Sequence, residues 1–299
     1  MTKNRAALTL VFCCFCWSIA GVFTRHLEAA KSFEVTMWRS AFCAITVALI
    51  ISFYQKKSVL TTVRRMGWPG LFSSLMWALM FTCFMLALSR TTTANTLLVS
   101  SLSPLLAALL GWLVLGVAVR WFTWLAIAAA LGGIWWMIRT GISSEGYTGM
   151  LIALGVPIGA AINIVVLKKA KANVDLAPAV LVGGVMSALA TLPLAWPLVA
   201  TQNDLLILAL LGVVQLAIPC MIMVGVVKYL APQQVALLTL LEVILGPIWA
   251  WAFAGEVLTT ATLQGAVVVI AALIFNEYAI ANHVPQTSTS DKTSASTAA

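Results

Sequence analysis

The side chain best suited to chemistry is Glu242, which lies inside the apolar segment LLEVILGPIWAWAFAGE (240–256). A carboxylate near the middle of a membrane is costly unless it is paired or protonated. We therefore expect Glu242 to face the protein interior, where burial favours the neutral acid and proton binding can respond to the opening of a cavity. This predicts a role in proton coupling or in binding a substrate amine; the alternative is a neutral contact between helices.

Arg39 lies about a turn and a half inside another apolar segment. At that depth a long side chain is able to snorkel to the interface, so structural anchoring is the favoured role. The alternatives are attraction of an anionic substrate and an ion pair with Glu34.

Other polar and aromatic groups inside apolar segments are candidates for binding or for helix contacts. Polar side chains here hydrogen-bond either a ligand or a neighbouring helix, and helix contacts are the commoner use. A buried Trp can stack on an aromatic or cationic substrate, although packing is the commoner role. These residues are Asn163, Gln215, Ser103 and Trp17.

Metal and nucleophilic chemistry find no support in the sequence. The six cysteines all fall in apolar segments, and His26 and His283 lie at segment ends, with no paired spacing typical of a metal site. HExxH, GxSxG and P-loop motifs do not occur in the sequence. We predict no metal, no cofactor and no enzyme activity.

The elements that must position these residues are membrane helices. Hydrophobic residues make up 62% of the chain, charged residues 9%, and the mean hydropathy is +1.03. About 20 apolar residues form a helix that spans the hydrocarbon core. The sequence predicts ten such spans, at 7–26, 34–54, 67–89, 93–116, 121–139, 148–168, 176–199, 205–228, 233–254 and 260–281.

Charged residues between the spans predict the orientation. If the amino terminus is cytoplasmic, twelve of the 17 Lys and Arg residues fall on the cytoplasmic side, as the positive-inside rule requires. Both termini are then cytoplasmic, and the net charge of +8 reflects topology rather than a nucleic-acid partner. The Ser/Thr-rich end, 283–299, is predicted to be a disordered tail.

The chain is predicted to contain an internal repeat. An offset of 139 residues aligns the fourth span with the ninth and pairs Trp112 with Trp251 and Gly116 with Gly255. Because five spans separate the copies, the second enters the membrane from the opposite side, which makes an inverted repeat and favours alternating access. The predicted fold is all-α integral membrane, with ten transmembrane helices as two five-helix inverted repeats, at 1–142 and 143–282.

Small residues on one helix face predict close helix packing, because spacing of four places them on the same side. Pro104 and Pro247 are expected to bend the central spans. The predicted packing positions are Gly111, Gly246, Ala250, Gly155 and Gly159.

The sequence resembles the EamA-type branch of the drug/metabolite transporter superfamily over roughly residues 7–281. The paired segments LSPLLAALLGWLVLG (102–116) and LLEVILGPIWAWAFAGE, together with Trp17-Ser18 and Trp38-Arg39, carry the resemblance. Val117 departs from it, because many relatives have an acidic residue there, as at Glu256. The resemblance implies a central cavity between the halves and favours Asn163 and Ser103 as residues that line it.

The expected function is secondary transport of a small metabolite, an amino acid or related compound, across the bacterial inner membrane. Export driven by protons is the favoured mode. The expected partners are a small-molecule substrate, the lipid bilayer and protons, with a homodimer left open. The alternatives are a channel, a lipid-handling protein and an intramembrane enzyme.

Overall fold

The computed structural model describes residues 1–56, 58–116, 118–139, 143–169, 176–226, 229–230 and 232–283. Every regular element within these residues is helical. A short helix, Val59–Arg65, follows the second span. In the described ranges, ten helices are long and apolar enough to cross a membrane: α1 (Lys3–Arg25), α2 (Ser32–Tyr54), α3 (Gly67–Leu88), α4 (Thr93–Leu115), α5 (Trp121–Arg139), α6 (Ser144–Lys168), α7 (Ala177–Ala195), α8 (Gln202–Val226), α9 (Gln234–Ala254) and α10 (Thr260–Asn282).

The ten predicted spans are confirmed, and their ends agree with the observed helices to within four residues. At the starts of α1, α6 and α8 the differences arise because polar residues form the first turn, whereas α7 ends four residues early, at Ala195. α8 begins at Gln202 because the Thr201 hydroxyl accepts the Asp204 N–H and the Asp204 carboxylate accepts the Thr201 N–H. Hydropathy does not detect such a capping box, although it satisfies N–H groups that the helix leaves unpaired.

Several membrane helices contain irregular turns, either inside the span or at its end. α4 is divided after Ser100 and resumes at Ser103, where Pro104 occupies the first turn because it needs no N–H partner there. Two other spans are divided in the same way: α1 into Lys3–Ser18 and Ala20–Arg25, and α6 into Ser144–Ala153 and Gly155–Lys169. Wide π-helical turns occupy Ile50–Tyr54 in α2 and Leu211–Ala217 in α8.

The helix contacts repeat when the two halves are exchanged. α3 packs on α6 and α7, and correspondingly α8 packs on α1 and α2; α4 packs on α6 as α9 packs on α1. Three further contacts join equivalent helices of the two halves, so exchanging the halves leaves them unchanged. They are α2 with α7, α4 with α9, and α5 with α10. This pattern gives the fold an approximate two-fold relation between α1–α5 and α6–α10. Because each half has five spans, the halves are inverted in the membrane, as predicted.

Apolar and aromatic side chains cover the outside of the bundle, as expected for a surface that faces lipid. Trp68, Trp121 and Trp196 lie exposed near helix ends, where aromatic belts form. Trp112 and Trp251, the pair that marks the repeat, also face outward. The expectations for Val117 and for the tail beyond 283 lie outside the described residues.

Candidate functional site

A central cavity of about 320 Å³ lies between the two halves. Five of the six candidate binding residues predicted from the sequence line its wall, whereas Asn163 does not. Aromatic rings from α1 and α3 form much of the remaining surface. The lining residues used below are Trp17, Arg39, Trp77, Phe81, Phe84, Leu97, Ser100, Ser101, Ser103, Gln215, Cys220, Met223, Ala236, Thr239 and Glu242.

Arg39 is a buried cation in this wall, with only 2% of its surface exposed. Its Nε and Nη2 atoms donate to Gln215 Oε1 at 3.1 and 2.8 Å, and the guanidinium carbon lies 5.7 Å from the centre of the Phe84 ring. The Nη1 atom has no hydrogen-bond partner within the described residues. This cation therefore retains a free donor while it is held in a fixed position.

The interpretation of Arg39 as a snorkelling anchor is wrong, because its side chain turns into the bundle rather than toward the interface. The alternative pairing with Glu34 is also wrong. The Glu34 carboxylate instead accepts the backbone N–H groups of Val199 and Ala200 at 2.9–3.1 Å. A hydropathy profile indicates how deep a residue lies in the membrane but not the direction in which its side chain points.

Gln215 holds Arg39 from a widened turn of α8. The π-helical segment Leu211–Ala217 contains Gln215, and such turns re-aim side chains relative to a regular α-helix. The Gln215 amide nitrogen donates to the Trp17 carbonyl oxygen at 3.2 Å, so the amide bridges Arg39 and α1. Gly212 lets α8 approach α2 closely, because a Cβ atom at this position would lie 2.7 Å from the Arg39 carbonyl oxygen.

Glu242 lies on α9 and is half-buried in the cavity wall. Among the described residues no hydrogen-bond donor or ion-pair partner contacts its carboxylate. Arg39 and Glu242 thus share one cavity without a direct contact. Arg39 is the fixed charge of the pair, whereas the Glu242 carboxylate is available to a ligand or a proton.

Ser103 and Asn163 lie in different environments. The Ser103 hydroxyl lines the cavity at the division in α4 and donates to the Ser100 carbonyl oxygen at 2.6 Å. Asn163 is buried in α6 and is not part of the wall, although its Oδ1 atom has no partner within the described residues. The expectation that Asn163 lines the cavity is therefore wrong, whereas its neighbour Ala160 does line it.

Sequence reasoning missed Phe81 and Phe84, which with Trp77 form an aromatic wall on α3. Trp77, Phe81 and Phe84 recur at spacings of three and four, which places them on one helix face. That spacing was visible in the sequence, but α3 is apolar all round, so nothing distinguished the cavity face from the lipid face. Thr239, one turn before Glu242, and Ser101 also line the cavity.

The cavity is closed toward the membrane face at which α1 ends, called here the opposite face. Glu256, just beyond α9, accepts hydrogen bonds from Arg25 Nε at 2.8 Å, from the Thr93 hydroxyl at 2.8 Å and from the Thr93 N–H at 2.9 Å. Arg25 Nη2 also donates to the Thr91 carbonyl oxygen at 2.8 Å. One carboxylate thereby joins α1, α4 and α9 at this face.

A second set of carboxylate contacts crosses between the halves at the same face. Asp204, at the start of α8, accepts the N–H groups of Glu28, Ala29 and Ala30 at 2.7–3.0 Å. Glu34, at the start of α2, makes the reciprocal contact with the loop before α8. Each half therefore binds the backbone of the other, which strengthens closure of the opposite face.

Small residues let the central helices pack closely. Gly246 of α9 packs against Leu97 of α4, and Ala250 is fully buried. In α6, Gly155 packs against Cys83, and a Cβ atom at Gly159 would lie 3.1 Å from the Met80 side chain. Gly111 differs, because no atom of another described element lies within 4 Å of where its Cβ would be. The predicted close helix approach at Gly111 is therefore wrong in this conformation.

Toward the amino-terminal face, the face at which α1 begins, the central helices separate. The segment Ser103–Leu115 of α4 packs mainly on α6. The first turns of α9 pack on α1, where Cys14 Sγ donates to the Leu238 carbonyl oxygen at 3.4 Å. The cavity extends between them to Met223 and Ala236, each within a turn of its helix end. The cavity thus reaches the amino-terminal face.

The described residues contain no group of three or more His, Cys, Asp or Glu side chains that could hold a metal ion. All six cysteines are free thiols. The site consists of a fixed cation, an available carboxylate, hydroxyl groups and aromatic rings, which suits reversible binding of a small molecule.

Comparisons with known proteins agree with this architecture. No curated protein matches the chain at a significant level. One solved structure, described as a crystal structure of protein, superposes with a TM-score of 0.64 at 17% identity, covering 93% of this chain and 98% of that chain; it shows the fold alone. The profile of the EamA-like transporter family matches residues 4–139 and 147–277, one match in each half. The chain therefore belongs to the EamA-like transporter family and is a membrane transporter of small molecules.

Proposed function

We propose that the protein is a secondary active transporter that moves a small metabolite across the bacterial inner membrane by alternating access. The observation that carries this proposal is one cavity between inverted halves, closed at the opposite face and extending to the amino-terminal face. Exchange of the conformations of two inverted repeats would close the open face and open the closed one.

The distribution of Lys and Arg supports a cytoplasmic amino-terminal face. The structure then corresponds to a cytoplasm-open state that is ready to load a substrate for export. Protons returning down their gradient would drive export through Glu242, because its carboxylate faces the cavity without a partner among the described residues.

The charge arrangement supports an amino acid or a related compound as substrate. Arg39 offers a free N–H donor to an anionic group, Glu242 offers a carboxylate to a cationic group, and Trp17 and Phe81 offer aromatic surface. A channel is less well supported, because the contacts at the opposite face interrupt any continuous pore.

Flux measurements in proteoliposomes test this proposal. A panel of amino acids and related metabolites is offered with a pH gradient of either sign, and the label that crosses is counted. We expect saturable counterflow for a subset of the panel and acceleration by one sign of the gradient. Flux that does not saturate and shows no counterflow would support a channel instead and overturn the proposal.

A further inference from the structure

A second cavity, called here the lateral groove, lies outside the central site. It has a volume of about 920 Å³ and is bounded by α1, α8 and α9 near the opposite face. Of the residues that the structure describes, none lines both this groove and the central cavity. Four aromatic side chains dominate its interior: Phe15, Phe23, Trp249 and Phe253.

The lateral groove opens sideways into the membrane. Phe15 and Phe253 belong to membrane-spanning helices, yet they are 48% and 63% exposed. Phe15 and Trp249 meet edge to face with ring centres 5.8 Å apart, and Trp249 donates to the Ser18 hydroxyl at 3.2 Å. Hydrocarbon surrounds such an opening, so the occupant must carry an apolar chain.

The length of the groove corresponds to one leaflet. From Phe15 to His26 the chain rises about 16 Å at 1.5 Å per residue. Half of a hydrocarbon core of about 30 Å is close to this length. The groove therefore accommodates one acyl chain that ends at the membrane surface.

Polar side chains close the groove at that surface. Glu28 accepts hydrogen bonds from the Asn203 amide at 3.0 Å and from the Thr201 hydroxyl at 3.2 Å. Asp204 fixes the loop through the Glu28 N–H, at 2.7 Å. In the described part of the chain no Lys or Arg forms an ion pair with Glu28, so its negative charge is not neutralised there. A cationic hydrogen-bond donor complements this end of the groove.

We propose that the lateral groove binds a phospholipid with a primary amine headgroup, with an acyl chain along the aromatic wall and the ammonium group on the Glu28 carboxylate. Phosphatidylethanolamine has this chemistry. Phosphatidylcholine has the same charge but no N–H donor, and phosphatidylglycerol has neither the amine nor a cationic group. The proposal concerns a lipid site and is independent of the transported substrate.

Native mass spectrometry of the purified protein tests the site. The protein is equilibrated with equal amounts of phosphatidylethanolamine, phosphatidylcholine and phosphatidylglycerol in detergent, and the retained lipids are counted. We expect phosphatidylethanolamine to be retained about fivefold over phosphatidylglycerol, the upper end for an exposed ion pair, and by a smaller factor over phosphatidylcholine, which carries the charge without an N–H donor. Equal retention of the three lipids would overturn the proposal.

Two variants and a control separate headgroup selection from apolar binding. Glu28→Gln removes the charge and leaves one acceptor oxygen in place of two, so the preference for phosphatidylethanolamine should fall toward equal retention. Ile207→Trp fills the groove and should lower retention of all three lipids. Glu145→Gln removes another exposed acid at the start of α6 and should behave as the wild type. Unchanged selectivity in a monodisperse Glu28→Gln variant would contradict the proposal.

Discussion

At the scale of residues, the two charges of the central cavity differ in how firmly they are held. Arg39 is buried and fixed by Gln215, with one further donor free. Glu242 is half-buried, and none of the described residues donates a hydrogen bond to its carboxylate. A side chain without fixed partners exchanges a proton at a small structural cost, so Glu242 is the group suited to coupling.

We predict that Glu242→Gln uncouples substrate flux from the proton gradient. The amide retains the size of the side chain but has no titratable proton. In proteoliposomes, substrate should still move down its own gradient, at a higher half-saturating concentration because the amide binds a cationic group less well, whereas an imposed pH gradient should no longer accelerate it. Glu145→Gln is the control, and wild-type acceleration in Glu242→Gln would refute a coupling role.

We predict that Gln215→Leu destabilises the protein by about 1–3 kcal/mol, because it leaves the buried Arg39 guanidinium without its acceptor. Thermal unfolding of the detergent-solubilised protein measures the effect. Gln215→Glu should restore most of the loss, because a carboxylate again accepts from Arg39. Gln202→Leu, at an exposed site on the same helix, is the control. Equal melting temperatures for Gln215→Leu and Gln202→Leu would contradict this account.

At the scale of elements, α4 and α9 pack closely near one membrane face and lie apart near the other. Near the opposite face Gly246 lets α9 contact Leu97 of α4, whereas near the amino-terminal face no described atom of a neighbouring helix lies within 4 Å of a Cβ position built at Gly111. The repeat offset pairs Gly111 with Ala250, which is fully buried. In a conformation open to the opposite face, α4 and α9 would exchange these roles, and Gly111 would become the position of close approach.

We predict that Gly111→Leu folds normally but transports poorly. The added side chain has space in the present conformation and blocks closure of the amino-terminal face. The elution volume in size-exclusion chromatography and the affinity for substrate should match the wild type. Flux should fall at least tenfold, because a free-energy penalty of about 1.4 kcal/mol on closure lowers the closed population tenfold. Val114→Leu, an exposed position on the same helix, is the control. Normal flux in Gly111→Leu would show that α4 and α9 do not close there.

At the scale of the whole molecule, carboxylates hold one face shut. Glu256 joins α1 and α4 to the end of α9, and Asp204 and Glu34 bind loops of the opposite half. Contacts to charged groups contribute about 1.5–3 kcal/mol each when buried. The equilibrium between the two open states therefore depends on a small number of residues at this face.

We predict that Glu256→Gln shifts the population toward the state open to the opposite face. The amide weakens the contacts with Arg25 and Thr93. The measurement is labelling of Ser100→Cys in the cavity by an impermeant thiol reagent added at the opposite face, with the six native cysteines replaced by serine. Labelling should accelerate severalfold relative to the Glu145→Gln control. An unchanged rate would show that Glu256 does not limit opening.

The sequence by itself determined the ten spans, because the length and hydropathy of each segment are local properties that the bilayer selects directly. It also revealed the repeat, through Trp112 with Trp251 and Gly116 with Gly255. It identified Glu242, Gln215 and Ser103 as polar groups inside spans, and all three line the cavity.

Only the tertiary structure decided which face of each helix turns inward. A helix that is apolar all round has no stripe to fix its rotation, so the direction of Arg39, the position of Asn163 and the surroundings of Gly111 were predicted wrongly. The decisive contacts join residues far apart in the chain, such as Arg39 with Gln215 and Arg25 with Glu256. Such pairs depend on how the two halves pack against each other, and that packing is not encoded in any single segment.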